Sequence, residues 1–292
     1  MTDPSPEPTA GGTQDRAEIM QALRHLADVP DDDLDLAETA LLLAALERPR
    51  VALERYRLHL RDLAAAVARE TAARPGDVAT LEWRAAALAM VIAGEHGYRG
   101  DALTYDDLQN ANLMRVIDRR KGLPVALGIL YIHAARAQGW SAFGVNFPAH
   151  FLIALESGGA RILLDPFSGH RLDGANELRA FLKTVAGPES ELSPQHCAKL
   201  GNRAVLLRLQ NNLKARLAGQ GRNDRAAETL DHMLLFAPAE VDLWHEAGTL
   251  HAQAGNLRAA IAALDHYVKA VPESAPRRHA LELLQTLRQR LN

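Results

Sequence analysis

The stretch GYRGDALTYDDLQNANLMRVIDRRKGLPVALGILYIHAARAQGW, residues 97–140, decides how this chain is read. Between Tyr105 and Arg119 the spacing of Leu108, Leu113, Val116 and Ile117 predicts one apolar helix face, with Gly122 as the stop. Pro124 then restarts the chain, because the fixed φ of proline suits a first helical turn. Val125, Leu127, Leu130, Tyr131, Ala134 and Ala135 make the next segment apolar nearly all round until Gly139 ends it. A helix apolar on every side must be buried, so this segment predicts the central helix of a core.

Downstream of Trp140 the period changes. AFGVNF (142–147), HFLIAL (150–155) and RILLDPF (161–167) are short, apolar and β-favouring, with Ser157-Gly158-Gly159 as a turn between the last two. They predict a small antiparallel sheet with a hairpin. Asn176 is expected to cap a helix through ELRAFLKTV (177–185), and Ser193-Pro194 to open another that contains Cys197, after which everything reads as helical. Upstream, residues 15–95 are rich in Ala, Leu and Arg with helical spacing, as in Leu53, Tyr56, Leu60, Leu63 and Val67. Breaks at DDDLD (31–35), Arg48-Pro49 and Arg74-Pro75-Gly76 suggest three helices there.

The last ninety or so residues repeat. Gly221, Ala226, Leu230 and Pro238 recur 34 positions later as Gly255, Ala260, Leu264 and Pro272. That period is the length of a tetratricopeptide helix pair, and Trp244 and Gly248 supply the large and small residues such a unit needs. Two units and the closing helix APRRHALELLQTLRQRLN (275–292) form a short array, read either as a structural cap on the preceding domain or as a partner-binding groove.

Composition narrows the function. The 292 residues, 48% hydrophobic, are enough for two packed domains. The 33 basic and 36 acidic residues nearly cancel, so no global field draws nucleic acid or an anionic membrane. The single cysteine, Cys197, excludes an internal disulfide and fits a reducing compartment. The opening MTDPSPEPTAGGTQD reads as a disordered tail with no signal-peptide pattern, and no apolar run is long enough for a membrane span. Neither GxxxxGK[ST] nor GxGxxG occurs, so no nucleotide cofactor is expected.

Two residues suggest chemistry. His150 opens the HFLIAL strand and Asp165 closes its neighbour, a spacing that lets a carboxylate orient an imidazole across a hairpin. Such a pair usually serves a nucleophile, which would sit at the N-terminus of a buried helix, where the dipole lowers a thiol pKa. Gly122-Leu123-Pro124-Val125 occupies that place, and none of these side chains attacks anything. A structural hydrogen-bonded pair is the alternative reading. Arg119, Arg120 and Lys121 fit a phosphate or an acidic partner, or simply complement a helix C-terminus. Asn110 and Asn112 fit either a capped turn or a ligand contact in the same cleft. His170 follows the DPFSG turn within reach of His150, but the histidines show no zinc-site spacing and no metal is expected. Cys197 reads as buried and inert, since its neighbour His196 points to another helix face.

GYRGDALTYDDLQNANLMRVIDRRKGLPVALGILYIHAARAQGW, GVNFPAHFLIAL (144–155) and LLDPFSGHRL (163–172), in this order, resemble a bacterial transglutaminase-like/tetratricopeptide-repeat family, the SirB-one type, from about Leu36 to the end. In active transglutaminase-like enzymes a Gly-x-Cys opens the central helix, followed by a strand His and an Asp. The resemblance puts Gly122, His150 and Asp165 on that pattern, with Pro124 at or near the cysteine, as in a cysteine-less branch. It implies an α+β fold: mostly helical, with a small antiparallel sheet packed on a central helix, then a tetratricopeptide-type array. The expected layout is a tail over 1–15, a helical region over 16–100, the transglutaminase-like core over 101–192 and repeats over 193–292. The expected function is a non-catalytic, cytoplasmic scaffold whose partner is another protein, not nucleic acid or membrane. The alternative is a hydrolase or amide-processing enzyme using His150 and Asp165.

Overall fold

The computed structural model describes residues 15–72 and 80–291. The expected tail falls almost wholly outside them, as does the break at Arg74-Pro75-Gly76. Among the described residues four α-helices precede the central segment: α1 (Arg16–His25), α2 (Leu36–Leu46), α3 (Glu54–Ala72) and α4 (Leu81–Ala89), the last running into a π-helical turn at Met90–Glu95. The count among the described residues is thus four, one more than the expected three. Asp35 caps α2 by accepting from the Ala37 and Glu38 amides, each at 3.0 Å. Asp31, earlier in the same acidic run, is used elsewhere in the chain.

The segment expected to be one helix over 105–119 is two pieces. Asp107 caps a 3₁₀ turn at Leu108–Ala111, and Asn112 caps α5 (Leu113–Arg119) by accepting from the Arg115 amide at 3.1 Å. Two side chains that favour N-caps lie five residues apart, too close for an unbroken helix. Arg120, in the left-handed region at φ 58°, ends α5 before Gly122 is reached. Short parallel strands β1 (Arg99–Gly100) and β2 (Lys121–Gly122) then lead into α6 (Pro124–Arg136), whose first twelve residues other than Ile132's neighbour His133 are buried, with Pro124 in the first turn.

The sheet has five strands: β3 (Ser141–Val145), β4 (Leu152–Ser157), β5 (Ala160–Asp165), β6 (His170–Leu172) and β7 (Lys199–Leu200), in the antiparallel order β6-β5-β4-β3-β7. The sequence suggested three. Period-2 alternation sorts its side chains: Ala142, Ile153, Leu155 and Leu164 join the core around α6. Phe143, Val145, Leu152, Ala154 and Leu163 instead face Leu178 and Leu182 of α7 (Gly174–Ala186). Asp173, not Asn176, precedes α7; Asn176 lies inside it and accepts from Arg179 at 3.0 Å. Ser193-Pro194 opens only one 3₁₀ turn, because Lys199 and Leu200 are drawn into the sheet against Val145 and Gly144.

The remaining elements are α8 (Asn202–Gly219), α9 (Asn223–Phe236), α10 (Val241–Gln253), α11 (Leu257–Ala270) and α12 (Ala275–Leu291). The 34-residue repeat is physical: Gly221 and Gly255 turn the chain at φ 72° and 80°, and Ala226, Ala260, Leu230 and Leu264 are all fully buried. One continuous core runs from Ile19 in α1 through α6 and α8 to Ala263 in α11, so the repeats pack on the preceding helices. Asp31 helps to lock this arrangement. Its carboxylate accepts from the Asn202 and Arg203 amides at 2.9 and 2.7 Å, capping α8 where Gly201 has no side chain to do so.

Candidate functional site

His150 Nε2 lies 2.8 Å from Asp165 Oδ1. The pair is diagonal: His150 stands two residues before β4, not at its start, beside Ala149 at φ 55°. Asp165 ends β5 and is almost buried. Its carboxylate also accepts from the Phe167 amide at 2.9 Å and the Ser168 hydroxyl at 2.6 Å. Burial alone would raise the Asp165 pKa, but these donors, His150 foremost, outweigh it and hold the acid below its ordinary value. With Nε2 bound to the carboxylate, Nδ1 is the free ring nitrogen of His150; it has no hydrogen-bond partner among the described residues.

Aromatic rings cover the pair. Phe181 and Phe167 meet the imidazole edge-on at centroid distances of 5.1 and 6.1 Å, and the His150 side chain is 12% exposed. Phe151 anchors the next position, its ring wedged between Gly128 of α6 and Gly144 of β3. Gly128 is one turn beyond Pro124, so the residue after His150 packs on the first half of α6. Pro124 is buried and offers no nucleophile. Cys197 does not replace it. Its carbonyl is held by Arg161 at the start of β5, while Asp165 is at the far end of that strand, about 13 Å along. Burial also pushes the Cys197 thiol pKa up.

Asn112 spends both ends of its amide on structure, capping α5 and donating to the Ala44 carbonyl at 3.0 Å. Arg119 donates to Asn110 at 2.9 Å and to Asp101 at 2.8 Å. Thr104 first, then Arg119 and Asn110, hold the Asp101 pKa at about 2 against burial. Asn110 is fully buried, and its carbonyl receives the Leu123 amide at 3.0 Å, which ties this knot to the start of α6. Lys121 lies in β2. His170, exposed, is the register partner of Asp165.

Arg120 joins a cluster with His59 and Tyr98: its guanidinium bonds the Tyr98 hydroxyl and lies 2.7 Å from His59 Nε2, which is 2.7 Å from the same hydroxyl. Burial, then the Arg120 charge, lowers the His59 pKa to about 4. A histidine that protonates less readily when folded stabilises the fold above its unfolded pKa near 6.5, and that stability drains away as the pH falls toward 4. Acidification from pH 7.5 to 5 is therefore expected to lower unfolding stability through His59 by about 1–2 kcal/mol, after allowance for solvent screening. Urea titrations should show that loss shrinking in His59→Gln. His96, His133 and His232, also depressed by burial, leave a residual slope of the same sign.

Two features escaped the sequence. Arg208 of α8 reaches across to donate to the carbonyls of Phe147, at 3.2 Å, and of His150, pinning the loop that carries the imidazole. One arginine among many in a helical stretch gives no signal of this. The second feature is a groove along α8. Two openings of about 500 and 490 Å³ share Asn211 and Ala215 and run from Leu200 and Ala204 to Ala218, with Glu240, Glu246 and Leu250 opposite. Lys214 is paired with Glu246 at 2.5 Å, whereas the exposed Asn211 side chain has no hydrogen bond among the described residues.

A buried helix meeting a His-Asp pair on an antiparallel sheet, followed by stacked helix pairs, defines a transglutaminase-like core joined to tetratricopeptide repeats. Family models agree: residues 54–211 match the transglutaminase-like superfamily and 213–289 the tetratricopeptide repeat. A UPF0162 protein of Xylella fastidiosa (strain Temecula1) is 30% identical over 259 residues, 88% of this chain and 91% of the relative. One from Vibrio cholerae is 30% identical over 90% of this chain and 94% of its own length. Protein SirB1 of Salmonella typhimurium is 26% identical over 62% of this chain and 67% of the relative. The chain thus belongs to the UPF0162/SirB1 family of the transglutaminase-like superfamily.

Proposed function

We propose that this protein is a non-catalytic, protein-binding scaffold of the cytoplasm, docking an extended segment of its partner in the groove along α8. The observation that carries the reading is the contrast between the two sites. The resemblance puts Pro124, a buried residue without a nucleophilic group, at or near the cysteine position, and the His150–Asp165 pair is roofed by phenylalanines. Along α8 the groove is open and presents the unengaged amide of Asn211. From Ala204 to Ala218 α8 advances about 21 Å, the length of roughly six extended residues. Stacked helix pairs commonly recognise partners on such surfaces.

The second reading, a hydrolase or amide-processing enzyme, draws on the free Nδ1 of His150 beside an orienting carboxylate. One experiment separates them. A photo-crosslinking residue at Asn211, in cells, is expected to trap discrete partner bands that the same residue at exposed Leu281 of α12 does not. Equal labelling from both positions would sink the groove, and a covalent acyl adduct with an electrophilic amide analogue, lost in His150→Ala, would establish the enzyme.

A further inference from the structure

A separate cavity of about 170 Å³ opens where α2, α5 and the α8–α9 turn converge. Its polar walls include Glu47, Arg48, Arg115, Arg222 and Arg225, over an apolar floor that includes Leu213 and Leu217. These leucines lie on the buried face of α8, whereas Asn211 and Ala215 are exposed, so the cavity is distinct from the groove.

Four guanidinium groups thus share a small space with one carboxylate. Two are already compensated: Arg48 pairs with Asp118 at 2.8 Å, and Arg225 pairs with Glu47 and, through Nε at 3.0 Å, with Glu228. Arg115 and Arg222 have no side-chain partner among the described residues, and both are exposed at the mouth. The cavity is left with two uncompensated positive charges in a chain whose net charge is −3, so the excess is local. Planar N–H forks suit multi-oxygen anions, and an apolar floor strengthens each charge-assisted hydrogen bond.

We propose that this cavity binds a phosphoryl group as its dianion, with Arg115 and Arg222 as the primary ligands and Arg48 and Arg225 pre-set behind them. The three contributing segments, 47–48, 108–115 and 213–225, are remote in sequence, so an occupant joins the first helices, the transglutaminase-like core and the repeats. The proposal does not depend on the α8 groove.

Glycerol 2-phosphate is the first probe, titrated into the full chain by thermal unfolding and by ³¹P line broadening, against potassium chloride at matched ionic strength. A saturable rise in Tm is expected. The double variant R115Q/R222Q, which breaks no pair in the fold, should keep its ligand-free Tm and weaken binding at least about tenfold. Below the second phosphate ionisation near pH 6, binding should fall severalfold, while sulfate binding should not. A phosphoserine peptide and a nucleoside monophosphate, run as competitors, tell a modified protein from a small metabolite as the source. No effect beyond that of chloride, or equal binding by the double variant, overturns the proposal; should that variant unfold early, R222Q alone with the ³¹P readout decides.

Discussion

Phe151→Ala is expected to cost about 4 kcal/mol of unfolding free energy, the range for a fully enclosed phenylalanine in a core that relaxes only partly. The ring fills a slot that two glycines create. A methyl at Gly144 would come within 2.7 Å of Phe151 Cζ, and one at Gly128 would overlap the ring edge. Gly128→Ala should therefore cost about 1–2 kcal/mol, overpacking outweighing the better helix propensity of alanine. In the double variant the new methyl occupies part of the vacated slot, so the combined loss should fall short of the sum by more than about 1 kcal/mol. Urea unfolding of the four proteins measures this. Simple additivity would mean that Phe151 does not depend on the glycines, and that the loop carrying His150 is anchored elsewhere.

Asp165→Ala is expected to lower stability by about 3 kcal/mol at pH 7, because three donors lose one buried acceptor: His150 Nε2, the Phe167 amide and the Ser168 hydroxyl. The pH dependence has a definite sign. The folded acid has its pKa below the ordinary 3.8, so its contribution is complete above that value and disappears as the pH falls through the folded one. The gap between wild type and variant should accordingly narrow below about pH 4. Ser168→Ala, which removes one donor, should cost about 1 kcal/mol. A loss near zero for Asp165→Ala would contradict a structural role for the pair and favour retention for chemistry.

Much of this architecture was legible in the sequence because it rests on local or periodic signals. The apolar run after Pro124 identified the central helix, since a segment without a polar face has no exposed solution. The 34-residue recurrence of Gly221, Ala226 and Leu230 identified the repeats, since each unit solves the same packing problem. His150 and Asp165 were legible as a pair because hairpin register limits which residues can meet. Local reading failed where a distant group decides the outcome. Asp35 of the acidic run caps the helix that follows it, as its position suggests, but nothing local shows that Asp31 of the same run caps α8, about 170 residues away. Lys199 and Leu200 looked helical, yet the free edge of β3 takes them as a strand.

By itself the sequence determined the central buried helix, the hairpin strands, the repeat and the lack of a nucleophilic side chain at residue 124, because propensity, periodicity and side-chain chemistry are properties of short stretches. Only the tertiary structure decided that Phe181 and Phe167 roof His150, that Arg208 pins its loop, and that Arg115 and Arg222 meet at one cavity. Those contacts join residues separated by 17 to 107 positions, and their geometry follows from how helices and sheet pack, which no local pattern encodes.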